Sequence, residues 1–180
     1  MSRGDPTGLY ECTGHPSMDC NSIGEFDSAL QNGAENLNIS AGDRQKISTV
    51  SHGIGDPEDK NGVKIHPTEL GDNVVGQAVS KTRIDVDISE VKSEKENSSL
   101  NPGVSESEVL NALGAAAIAY EETHREDGQP QTGEEELRTE TRAYGVEQAV
   151  LNSLGVHTST LGSSGFRVGD FGPLAVLNTL

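Results

Sequence analysis

The chain contains no tryptophan, and phenylalanine and tyrosine together make up only 3% of its 180 residues. The large side chains that dominate core burial are therefore nearly missing. Basic residues are also scarce: 13 Lys and Arg face 29 Asp and Glu, for a formal charge of −16. Phosphate backbones are bound by clustered Lys and Arg, so direct nucleic-acid binding is not expected. Long apolar runs are absent too. No stretch approaches the roughly 20 residues needed to span a bilayer, so no membrane partner is predicted. Residues 1–20 lack a basic segment followed by an apolar run, which argues against a signal peptide and for an intracellular location, cytoplasmic or nuclear. Two cysteines, Cys12 and Cys20, are too few for a disulfide scaffold, and in the cytosol such a pair stays reduced.

Leu, Ile, Val and Phe total 39 of 180 residues. That is close to the limit of roughly 20% below which highly charged chains fail to fold. Ordering each residue costs on the order of 1–2 kcal/mol of backbone entropy, which apolar burial must offset. The 21 glycines raise that cost, and −16 adds self-repulsion. The composition therefore predicts a predominantly intrinsically disordered chain, with short amphipathic α-helices in the C-terminal half and no stable sheet.

Three regions follow from a pass along the sequence. Residues 1–104 read as an acidic, Gly/Ser/Asn-rich disordered region. Its turn signals include Gly4-Asp5-Pro6, Asn61-Gly62 and Gly71-Asp72-Asn73. Within it, residues 83–91 alternate Ile84, Val86 and Ile88 with Asp85, Asp87 and Ser89, the period of a half-buried strand. With no comparable strand nearby, it is expected to remain an extended loop or to pair with a partner's sheet.

Residues 105–155 carry two helical patterns that could form an αα-hairpin. Ser105-Glu106-Ser107-Glu108 is a capping box, and Val109, Leu110, Leu113, Ala116, Ala117 and Tyr120 follow as one apolar stripe. Gly114 weakens this helix by about 1 kcal/mol relative to Ala. His124 and Arg125 suit the dipole at its end. Thr132 to Glu135 opens the second helix, and Gly155 stands where a C-terminal glycine cap belongs. Residues 156–180 form a low-charge apolar tail that stops inside the run 174–180, so the 180 residues are expected to be a piece, or one splice or reading-frame product, of something longer.

One pattern repeats. Val-Leu-Asn-x-Leu occurs at 109–113, 150–154 and 176–180. On a helix the Val and the last Leu stand at i and i+4, a compact anchor for a hydrophobic groove. Val109, Leu110, Leu113, Val150, Leu151, Leu154, Val176, Leu177 and Leu180 are thus the predicted partner-docking residues. Ser22, Ser40, Ser93 and Ser105 each have an acidic residue three positions on and are the predicted kinase sites.

Catalytic and metal signatures are weak. Cys12, His15 and Cys20, with Asp19, lack the four-ligand spacing of structural zinc, and His52, His66, His124 and His157 are distant. Arg3-Gly4-Asp5 and the glycosylation triplets at Asn38 and Asn97 have no meaning without secretion. There is no nucleophile elbow, no phosphate-cradling loop and no pair of histidines at helical spacing. No enzyme, cofactor or metal is predicted. The expected function is a non-enzymatic, acidic recruitment region acting through short helical motifs on basic or grooved protein surfaces. In composition it is similar to acidic regulatory regions of transcription or replication cofactors, such as the arms of viral phosphoproteins. The alternative is a small helical oligomerisation or partner-binding module, 105–180, behind a disordered leader.

Overall fold

The computed structural model describes residues 11–12, 17–54, 63–97 and 103–156. Its elements run β1 (Glu11–Cys12), α1 (Ser17–Glu35), α2 (Ala41–Ile54), β2 (Lys64–Pro67), β3 (Gly76–Ser80), β4 (Arg83–Val86), α3 (Ile88–Asn97), α4 (Glu106–Asp127) and α5 (Gly133–Ser153). The expectation of predominant disorder is overturned: five helices and a mixed sheet share one core.

The reason lies in which residues do the burying. Among the described residues, eight of the 29 buried apolar side chains are alanines, most of them on α4. A measure built on Leu, Ile, Val and Phe misses them. Ala115, Ala116 and Ala117 are fully buried, as are their neighbours on every face of α4 from Ala112 to Thr123. A helix apolar on all sides is a core helix. Around it pack α1, α2, α3, α5 and strands β3 and β4.

Alanine and glycine let that packing be close. The Phe26 ring of α1 lies against Gly114, where any Cβ would overlap it. Gly114 therefore offsets its low helix propensity with a contact that only glycine permits. Helix α1 presents Ile23, Phe26 and Leu30 at i, i+3 and i+7, and α2 presents Ile47, Val50 and Ile54 at the same spacing. Ser40 caps α2, its hydroxyl accepting from Asp43 N at 3.0 Å.

The sheet order is β1-β2-β4-β3, with β1, β2 and β4 parallel and β3 antiparallel at the edge. The alternating segment is a strand only as far as Val86, and it pairs with β2 and β3 of its own chain rather than with a partner. Ile84 and Val86 enter the core. Asp87 ends the strand and starts α3: its Oδ1 accepts from Ser89 N at 2.9 Å and Glu90 N at 3.2 Å. A turn at Lys81 and Thr82 joins β3 to β4, with a register shift between Ala78 and Ser80.

Helix α4 starts at the Ser105 capping box, both of whose bonds are present. Thr132 caps α5, its hydroxyl accepting from Glu135 N at 3.1 Å. Gly155 closes α5 at φ +75°, a conformation glycine adopts freely. The reduced cysteine pair is also corrected: Cys20 is disulfide-bonded, and the one other cysteine of the chain is Cys12.

Candidate active site

Helix α4 changes character at residue 120. Tyr120, Glu121, Glu122 and Thr123 are as buried as the alanines before them. A fully buried carboxylate is expensive unless its protons or partners compensate, so two in succession demand a reason.

Tyr120 and His124 are four residues apart and share one face, with ring centroids 4.7 Å apart. Because α5 returns antiparallel across a short connection, it brings Glu140 and Tyr144 to that face. The Tyr120 hydroxyl donates to Glu140 Oε2 at 2.5 Å, and His124 Nε2 stands 3.5 Å from Glu140 Oε1. His124 Nε2 is buried and has no hydrogen-bond partner. Tyr144, half-exposed, meets the Tyr120 ring edge-on at 5.2 Å and forms the solvent side of the group. Burial, reinforced by the bond to Glu140, pushes the Tyr120 phenol well above its usual range. Burial likewise lowers the His124 pKa, against the opposing pull of Glu140 and Asp127.

Glu121 turns toward the sheet. Its Oε2 accepts from Ala78 N on the edge strand β3 at 2.6 Å, while Oε1 is buried without a partner. Gly76 makes room for it: a Cβ there would lie 2.9 Å from Glu121 Cγ. Burial pushes the Glu121 carboxyl up to about 8, only partly opposed by the Ala78 bond, and Glu140 adds to the rise.

The next acid is handled differently. Glu122 is gripped by both sides of the Arg125 guanidinium, with Nε at 2.5 Å. The same Arg125 donates to Lys81 O at 2.7 Å and Gly53 O at 3.1 Å. One cation therefore ties the end of α4 to α2 and to the β3–β4 turn. Arg142 of α5 adds a second clamp on Glu126, at 2.7 Å, and on Asp127. These pairs hold the backbone on which Tyr120, Glu121 and His124 stand.

The predicted docking residues serve the fold instead. Val109, Leu113, Val150 and Leu151 are in the core, and Leu110 and Leu154 pack against it. These side chains pack between helices of their own chain. Val176, Leu177 and Leu180 lie outside the described residues. Of the predicted kinase sites, Ser40 and Ser105 cap α2 and α4, while Ser22 lies in α1 and Ser93 in α3. Cys20, in a disulfide, is not a thiolate ligand. His15 and His157 lie outside the described residues.

The cluster at Tyr120, Glu121, His124 and Glu140 is one that a search for histidine pairs passes over. The available signal was the apolar run from Ala112 to Ala119. A helix apolar on all faces buries whatever polar residues follow in its next turn, and buried polar residues are the informative ones. Glu140, sixteen residues beyond His124, has no sequence signal of its own. Comparison with protein families, curated proteins and solved structures finds no match to this chain.

Proposed function

We propose that the chain is a metal-assisted hydrolase acting on amide bonds of extended polypeptide, with Glu121 as the proton acceptor. The observation that carries this reading is the Glu121 carboxylate: fully buried, one oxygen held by Ala78, the other free of any partner. It follows Tyr120 directly and precedes His124 by three residues. Zinc hydrolases built on His-Glu-x-x-His place two ligands at i and i+4 with the Glu between them as general base, and many complete the set with a further carboxylate. Residues 120–124 keep that register with Tyr120 in the first place, and Glu140 supplies the carboxylate.

His124 Nε2, Glu140 and the Tyr120 oxygen are the donors that would hold the ion. The ion would supply Lewis-acid polarisation of the substrate carbonyl and an acidified water. Glu121, once deprotonated, would take the proton of the attacking water and return it to the leaving amine; with its carboxyl pushed up to about 8, that role calls for alkaline pH. Arg125, through Glu122 and two backbone carbonyls, keeps the α4 end and the β3 edge in fixed relation. The peptide substrate class rests on the register of residues 120–124, which in His-Glu-x-x-His enzymes is that of a metalloprotease.

The disulfide at Cys20 supports an oxidising compartment, against the intracellular location expected from the sequence. A second reading is a non-catalytic partner-binding module. It is favoured by the Tyr120–Glu140 bond, which closes the site without any ion.

The test is incubation of the purified protein with a mixed peptide pool, read by mass spectrometry. Expected is cleavage that chelation abolishes and that Glu121→Gln slows by at least about a hundredfold. Cleavage unaffected by Glu121→Gln overturns the assignment. A folded protein that cleaves nothing supports the binding module.

A further inference from the structure

Strand β1 is two residues long, shorter than the other strands, and its main neighbour is β2. The edge it lies on is poor in donors. Lys64 N donates to Thr82 O at 2.9 Å and Thr68 N to Val86 O at 3.0 Å, so both amides point to the β4 side. Amides alternate in direction along a strand, which turns those of residues 63, 65 and 67 to the β1 side. Val63 N is taken by Ile54 O at 3.0 Å, and Pro67 has no N–H. Ile65 alone remains to offer β1 an amide. Exposed lysine and proline are also what natural sheets place on edge strands to prevent pairing with other chains, and β2 carries Lys64 and Pro67. Strand β2 thus has the chemistry of an edge, yet β1 pairs with it.

The stronger hold on β1 is covalent. Cys20 is disulfide-bonded and Cys12 is the one other cysteine, so within the chain the bond joins β1 to the first turn of α1. Helix α1 is anchored independently, through Ile23, Phe26 and Leu30 in the core. We propose that the Cys12–Cys20 disulfide is a redox latch: oxidised, it keeps β1 on the sheet, and reduced, it lets β1 leave while the core stays folded. A dithiol reductant supplies two electrons and two protons, becomes a disulfide itself, and leaves two thiols on the protein. The edge uncovered is that of β2, which Lys64 and Pro67 already guard. This device goes beyond the hydrolase reading and shares no side chain with the proposed active site.

The experiment follows amide hydrogen exchange by NMR in the full chain, before and after reduction by a dithiol. Alkylation first checks the bond: no group is expected to add before reduction, and two after it. Ile65 is expected to exchange at least about tenfold faster on reduction, while the Thr68 and Asp87 amides, bonded to Val86 O and Val75 O, keep their rates. Cys20→Ser without reductant is expected to match the reduced parent, and reoxidation to restore slow exchange in the parent alone. Alkylation without reduction overturns the proposal, as does Ile65 exchange that reduction or Cys20→Ser leaves unchanged. If Thr68 and Asp87 accelerate together with Ile65, the bond is a staple of the whole fold and the latch is overturned as well.

Discussion

The two halves of α4 are equally buried and chemically opposite. From Ala112 to Ala119 the helix is small and apolar, fitted to Phe26 of α1 and to the sheet. From Tyr120 to Arg125 it buries a phenol, two carboxylates and a threonine, each with a separate arrangement. Thr123 donates back to Ala119 O at 2.9 Å, Glu122 has Arg125, and Glu121 keeps one oxygen without a partner. The first half lowers the free energy of the fold by burial. The second spends some of that stability to hold polar groups away from water, which is where catalytic sites are found.

The strongest way to break the polar half is Arg125→Ala. It leaves Glu122 buried and uncompensated and releases the Lys81 and Gly53 carbonyls. A loss of about 3–5 kcal/mol is expected in urea unfolding. A loss below about 1 kcal/mol would show that the pair behaves like a surface contact. In the apolar half, Gly114→Ala is a helix-favouring change on an isolated helix, yet here the new methyl meets the Phe26 ring. A destabilisation of roughly 1–3 kcal/mol is expected. Thermal denaturation that shows stabilisation would mean α1 does not sit where it is placed.

Glu147 sharpens the comparison, because it is a buried acid on α5, one turn beyond Tyr144. Burial alone pushes its carboxyl up to about 8. A folded-state pKa above the unfolded 4.5 means that its contribution is full below pH 4.5 and is lost as pH rises toward 8. Between pH 5 and pH 9 the parent is therefore expected to lose stability, and Glu147→Gln to remove on the order of 4 kcal/mol of that loss. Parallel pH profiles for the two proteins would refute it.

Several local features were legible in the residues. The capping box at Ser105, the N-cap at Thr132, the apolar stripe of α4 and the alternation at 84–86 depend on neighbours within a few positions, and local sequence carries that information. What was illegible is equally specific. Alanine is ambiguous by composition: Ala115 to Ala117 could sit in a solvated helix or at the centre of a core, and only close approach by Phe26 and the sheet decides between them. The Val-Leu-Asn-x-Leu segments have the right spacing for anchors, but spacing does not say whether the groove is another protein's or their own.

By itself the sequence determined where α4 and α5 begin, which of their faces are apolar, and that the chain is acidic and poor in aromatics, since these are properties of adjacent residues and of summed charge. The tertiary structure alone decided that strands 64–67, 76–80 and 83–86 find one another. It also decided that Ala78 reaches Glu121, 43 residues away, and that Glu140 comes to rest between Tyr120 and His124. Those meetings depend on how helices of small residues pack around α4, a balance of excluded volume and buried charge that no window of the chain contains.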